Sequence, residues 1–245
     1  MENAYKLVEK IKARASDPNK NEPATIVFLG DSVTNGCFEV DFDGERYLPV
    51  FDEENSYTAI FGRMIKRLYP TTQLNVINSG ISGDNTGGGI ERLQRDVLDY
   101  RPDMVVVCYG LNDCISGREG LETYYENLKT IVKTLQTAGA DVLIMTPNDI
   151  TDSVHFSLRT DREKADAQRL AMLSGEGVFE EYMKTAAQVA EETGAALVDC
   201  YAIWKKLEEF GVDVNRLLSN KLNHPTRDMH FIFAYELLRS ILGNV

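Results

Sequence analysis

Two rhythms of apolar and polar positions alternate along the chain. Short, β-branched apolar runs occur at 25–29, 74–78, 103–109, 142–146 and 195–199, each the length of a strand buried on both faces. Longer stretches with apolar positions at helical spacing lie between them, clearest at 57–68, 89–100, 119–138, 163–193 and 227–242. Gly139 and Gly194 stand where a helix ends before the next strand. This alternation predicts a parallel sheet covered by helices on both faces, in a single α/β domain spanning 1–245. Two segments break the rhythm. Residues 38–51 alternate apolar and acidic side chains around Asp43-Gly44, which predicts a β-hairpin inserted after the first strand's loop. Residues 148–164 form a long polar connection with no predicted element. Excursions of this kind carry specificity or close over a site, or they are plain solvated surface.

Composition narrows the functional classes. Hydrophobic residues are 43% and charged residues 26% of 245, ordinary globular usage in a chain long enough for one continuous core. Lys and Arg total 26 against 38 Asp and Glu, a net charge of −12. Such a field repels polyanions, so nucleic acid and anionic membrane surfaces are poor partners and a small uncharged molecule fits better. The segment up to Asn21 is polar, and no apolar run approaches the length of a membrane span. A cytoplasmic protein without a membrane partner is therefore expected. Cys37, Cys108, Cys114 and Cys200 lie far apart without metal-ligand spacing, and read as free thiols rather than a disulfide framework or metal centre.

In an open parallel sheet, ligands bind beyond the carboxyl ends of the strands. There the first strand runs into Gly30-Asp31-Ser32, the second into Ser79-Gly80-Ile81-Ser82-Gly83-Asp84, and the third into Gly110-Leu111-Asn112-Asp113. Ester hydrolysis by a serine needs a hydroxyl nucleophile, a base of near-neutral pKa and donors aimed at the developing oxyanion. Ser32 supplies the hydroxyl. Its own N–H, the N–H of Gly83 and the neutral amide of Asn112 make a candidate three-donor oxyanion hole. Asp31 and Asp113 are candidate substrate contacts. The chain has three histidines, and His224, in Asn223-His224-Pro225 before the last helix, is the favoured base. His230, inside that helix, reads as a packed or surface histidine, and a substrate-facing role for His155 stays open. Each turn is ordinary in isolation. Their order, one per strand end followed by Asn-His-Pro, gives them weight.

Taken together, these blocks resemble the SGNH, or GDSL-like, hydrolase superfamily, with a likeness running from residue 30 to 224. The resemblance implies a flavodoxin-like three-layer α/β/α sandwich with a five-stranded parallel sheet. It also implies transfer of a small acyl group, acetyl in the first instance, from an oxygen ester to water through a Ser-His acyl-enzyme, without metal or organic cofactor. Carbohydrate acetylesterases, lysophospholipases and thioesterases share that fold, which does not choose among them. The aromatic residues Phe38, Phe42, Tyr47 and Phe51 of the inserted hairpin favour a carbohydrate, on which they could stack.

One departure stands out. The family usually has an aspartate three residues before the histidine, and here that residue is Lys221. If the loop carries one extra residue, Asn220 takes the place of the imidazole's partner and ranks first. Asp228 swinging back, or a backbone carbonyl, are the alternatives, and a relative that binds acylated sugars without turning them over is the non-enzymatic reading.

Overall fold

The computed structural model describes residues 5–43 and 46–243. The chain runs through α1 (Lys6–Ser16), β1 (Ala24–Gly30), a single turn α2 (Ser32–Asn35), and a hairpin of β2 (Cys37–Asp43) and β3 (Arg46–Phe51). It continues through α3 (Tyr57–Leu68), β4 (Leu74–Gly80), α4 (Thr86–Asp96), β5 (Met104–Cys108), α5 (Leu121–Thr137) and β6 (Asp141–Thr146). Then follow α6 (Asp161–Gly175), α7 (Val178–Thr193), β7 (Ala196–Asp199), α8 (Cys200–Glu209) and α9 (Arg227–Leu242). Five strands form one parallel sheet in the order β4-β1-β5-β6-β7. Helices α3 and α9 pack together, while α4, α5 and α7 form a second layer, so the α/β/α sandwich expected from the sequence is present.

Burial explains why the strands were legible. All five residues of β5 are buried, and Ile26, Val27, Phe28 and Leu29 of β1 are wholly inaccessible. Each such side chain contributes roughly 1.5–3 kcal/mol relative to exposure. The chain leaves β1 for β4 on one side and returns past it to β5 on the other. Strand order reverses there, and the carboxyl end of β1 opens into the crevice where connections diverge.

Several expected elements differ. The stretch 163–193 is two helices, because Gly177 adopts a left-handed φ of 71° between α6 and α7. Apolar periodicity carries across that break and hides it. Helix α8 was not expected, yet it starts directly after β7, where the Asp199 side chain accepts from Ala202 N–H and caps it. Helix α4 begins at Thr86, earlier than its apolar stripe, because the Asn85 side chain accepts from Gly88 N–H.

The inserted hairpin exists as a separate two-stranded antiparallel sheet; its turn at Gly44 and the Phe42 side chain lie outside the described residues. Cys37 pairs with Phe51 and Glu39 with Val50, leaving Phe38 as the extra residue of a bulge. The 148–164 connection is not simply solvated surface. Asn148 to Thr151 are buried, with the Asn148 amide donating to Asn223 O at 2.8 Å and Thr151 N–H to Leu222 O at 2.8 Å.

Phe28 meets Tyr57 and Phe61 edge-on, with ring centroids 5.6 and 5.9 Å away. Phe28→Ala is expected to lower unfolding free energy by about 3–5 kcal/mol, read as a lower urea midpoint at unchanged slope. A loss under about 1 kcal/mol would mean that the neighbours collapse into the space.

Candidate active site

Strand β1 ends at a residue with no room for a side chain. A Cβ on Gly30 would overlap Thr34 Oγ1 and lie 2.6 Å from the Cys108 carbonyl oxygen. The next residue, Asp31, accepts from Val33 N–H at 3.0 Å and caps α2, so Ser32 opens a helical turn at the sheet's carboxyl edge. Asp31 is 1% exposed. Burial pushes its carboxyl up to about 7, against the Val33 bond and with the Asp113 and Asp84 carboxylates adding to the rise.

The turn after β4 carries Gly83 at φ +80°, with open space around the position of a Cβ. Glycine takes that left-handed conformation without strain, and Gly83 lines the cleft. Beneath it lies a side chain the sequence reading missed. Arg92, 7% exposed, donates from Nε to Asp84 Oδ2 at 2.8 Å, from Nη1 to Ser79 O at 2.6 Å, and from Nη2 to Gly30 O at 3.0 Å and Tyr109 Oη at 2.8 Å. Tyr109 Oη donates in turn to Asp84 Oδ2 at 2.8 Å. One guanidinium thus ties the ends of β1 and β4 to the Gly83 turn. Its signal in the sequence was an arginine on the same buried face of α4 as Gly89 and Leu93.

The Asn112 amide donates one hydrogen to Asp84 O at 2.8 Å, which leaves the second hydrogen of that nitrogen for the cleft that Asn112 lines. Asp113 turns away: its Oδ1 accepts from Thr86 N–H at 3.0 Å and Thr86 Oγ1 at 2.6 Å. Burial raises its carboxyl pKa, opposed by those Thr86 bonds.

His224 Nε2 lies 2.9 Å from Ser32 Oγ. On the other side of the ring, Nδ1 lies 3.1 Å from the carbonyl oxygen of Phe38. A carbonyl only accepts, so Nδ1 carries the proton and Nε2 faces Ser32 with its lone pair. Burial pushes the imidazole pKa down to about 4, opposed by the Phe38 carbonyl and then by Glu39. The ring is therefore neutral at ordinary pH. Ser32, Gly83, Asn112 and His224 line one cleft of about 440 Å³, together with Tyr47, Arg162, Asp166 and Arg169.

Other expectations are corrected. Asn220 does not touch the imidazole; its Oδ1 accepts from the N–H groups of Leu222, Asn223 and His224 at 3.0, 3.0 and 2.9 Å. It shapes the loop rather than orienting the ring. Lys221, at φ 60°, donates from Nζ to Leu218 O at 2.8 Å and Asn215 O at 3.2 Å. Asp31 and Asp113, expected as substrate contacts, do not line this cleft: Asp31 caps α2 and Asp113 holds Thr86, while Asp228 lines a separate groove beside Arg63. His155 is bound to Ser157 Oγ at 2.7 Å away from the cleft. His230 is buried, with Nδ1 accepting from Tyr57 N–H at 3.0 Å. The Phe38 ring is wholly buried and Phe51 lies outside the cleft, which leaves Tyr47 as the described hairpin aromatic that lines it.

Removing the guanidinium would strand the Asp84 carboxylate, whose side chain is 11% exposed. Arg92→Leu is expected to cost about 3–5 kcal/mol of stability in chemical denaturation. An unchanged midpoint would mean that water or Tyr109 alone satisfies Asp84.

The family model of the GDSL-like lipases and acylhydrolases matches residues 28–231. An acetylxylan esterase of Geobacillus stearothermophilus is 25% identical over 229 residues, covering 88% of this chain and 93% of that protein. An isoamyl acetate-hydrolyzing esterase 1 homolog of Bos taurus is 24% identical over 224 residues, covering 86% and 78%. Among solved structures, the Geobacillus stearothermophilus acetylxylan esterase superposes with a TM-score of 0.65 at 22% identity, covering 89% of this chain and 94% of that one. Catalytic mutants of that enzyme replace a serine, a histidine and an aspartate three residues before the histidine. The match over most of its length places this chain in the GDSL-like lipase/acylhydrolase family, as a carboxylic ester hydrolase.

Proposed function

We propose that the protein is a serine esterase that removes acetyl groups from an acetylated carbohydrate, with Ser32 as nucleophile and His224 as base. The observation that carries this reading is the 2.9 Å contact between Ser32 Oγ and a neutral His224 Nε2, in the cleft also lined by Gly83 and Asn112. Ser32 Oγ attacks the ester carbonyl as Nε2 takes its proton. The N–H groups of Ser32 and Gly83 and the Asn112 amide receive the oxyanion, and the imidazolium then gives its Nε2 proton to the departing sugar oxygen as the ester C–O bond breaks. Water repeats the sequence on the acetyl-enzyme, releasing acetate and returning the proton to Ser32.

The substrate class is supported by the cleft wall and by the named relatives. Tyr47 has the Arg162 guanidinium 3.9 Å over its ring and donates to Asp166 Oδ2 at 2.6 Å. Such a wall offers aromatic surface and donors suited to a hydroxyl-rich leaving group. An acetylxylan esterase aligns over 88% of this chain. Among the described residues, no group of His, Cys, Asp and Glu is arranged to hold a metal, and the mechanism calls on none. Four free, buried cysteines fit a cytoplasmic location, and no helix described is long and apolar enough to cross a membrane.

Acetate release from p-nitrophenyl acetate and from acetylated xylo-oligosaccharides tests the reading. Ser32→Ala is expected to lose at least about 10³-fold in turnover, and longer acyl esters are expected to be poorer than acetyl. Equal release by the parent and Ser32→Ala would remove the nucleophile assignment.

The pH profile follows from the sign of the shift. A base must be neutral to accept a proton, and burial lowers the His224 pKa to about 4. The acid limb of kcat/KM should therefore fall well below the ordinary histidine value of about 6.5. An inflection at or above that value would show an imidazole that is solvated or paired with a carboxylate.

A further inference from the structure

We propose that Arg227 is a positioning residue for the catalytic histidine: it grips the inserted hairpin so that the Phe38 carbonyl stays aimed at His224 Nδ1. The inference rests on the reading of Ser32 and His224 as nucleophile and base. The place usually filled by an acid side chain is filled here by a peptide group, and a peptide group has no side chain by which to be held. Its aim depends on the backbone that carries it and on the donors that meet its oxygen.

That backbone is weakly anchored by its own ladder. Strands β2 and β3 pair with each other and belong to a separate sheet from the main one. An isolated two-stranded hairpin is marginal in water. The bulge at Phe38 removes this residue from regular pairing and re-aims its carbonyl. That oxygen accepts from Ser219 Oγ at 2.7 Å as well as from His224 Nδ1 at 3.1 Å.

Arg227 is the tie on the hairpin side. Its Nη1 and Nη2 donate to Glu39 Oε1 and Oε2 at 2.6 and 3.1 Å, a bidentate grip on the residue that follows Phe38. Its Nε donates to Asp52 Oδ2 at 2.6 Å, just past the other strand. The guanidinium carbon also lies 4.3 Å over the Phe38 ring, which meets the His230 ring at 4.6 Å as well. Because Arg227 follows His224 by three residues, at the start of α9, one short stretch presents both the imidazole and the fork that fixes its acceptor.

Magnitude separates positioning from simple stabilisation. The Arg227 side chain is 38% exposed, as is that of Glu39, and ion pairs this open contribute little to global stability. Loss of the grip should therefore be felt in turnover more than in the melting temperature, since displacement of about 1 Å at a reacting group costs on the order of 10²-fold.

The test uses the full chain and a small ester such as p-nitrophenyl acetate. Arg227→Met is expected to lower kcat about 10- to 100-fold with KM little changed and the circular dichroism spectrum preserved. The low-field proton resonance of His224 Nδ1–H, assigned by its loss in His224→Ala, is expected to vanish or broaden in Arg227→Met. Arg227→Lys, which keeps the charge without the fork, should fall between the parent and Arg227→Met. Glu39→Gln should reproduce part of the kcat loss, and the double variant should be no worse than Arg227→Met alone. Should Arg227→Met fail to fold, Glu39→Gln carries the same readouts with the Asp52 contact intact. An unchanged kcat and an intact resonance in either folded variant overturn the proposal, as does an effect confined to KM. Full activity in Ser32→Ala or His224→Ala would instead overturn the catalytic reading beneath it.

Discussion

A hydrogen bond between atoms 192 residues apart in sequence, Ser32 Oγ and His224 Nε2, is the constraint on which the site depends. Neither end is free to adjust. Ser32 is set by a strand end that admits no Cβ at Gly30 and by the Asp31 cap. His224 is set by a loop whose N–H groups converge on Asn220 Oδ1 and whose carbonyls receive Asn148 and Thr151 from the neighbouring connection. The sheet's reversal of strand order brings both ends to one edge.

The electrostatics of the site favour neutrality. Burial lowers the pKa of His224 and raises that of Asp31, so both groups resist charging. An imidazolium formed during turnover is met by the dipole of a carbonyl rather than by a carboxylate. That is a weaker stabilisation of the charged ring, but it leaves the resting base unprotonated far into acid. The buried charges of Arg92 and Asp84 are closely paired and bear on the Gly83 turn instead.

Ser32, Gly83, Asn112 and His224 stand out as candidates in the sequence because their turns follow in order, one per strand end and one before the last helix, and because the buried strands β1 and β5 produce clear apolar runs. The acceptor at Nδ1 was not legible as a residue. Every position has a carbonyl, and only the bulge between Cys37 and Glu39 selects that of Phe38. Asn220 misled for a physical reason: its side chain is of the right type in the right loop, but nearby backbone donors claim its oxygen first. The Phe38 ring misled likewise, since composition records an aromatic without recording which way a bulged strand turns it. Arg92 was overlooked because a buried arginine looks like a surface one until its acceptors are known.

A contact made by the peptide group of Phe38 has an unusual mutational fate. No substitution at position 38 removes that carbonyl, so comparison of that column alone is blind to it. A single-residue insertion or deletion in β2 would matter far more, because carbonyls along a strand alternate in direction. In this chain the length of that hairpin therefore bears on the contact more than the identity of residue 38 does.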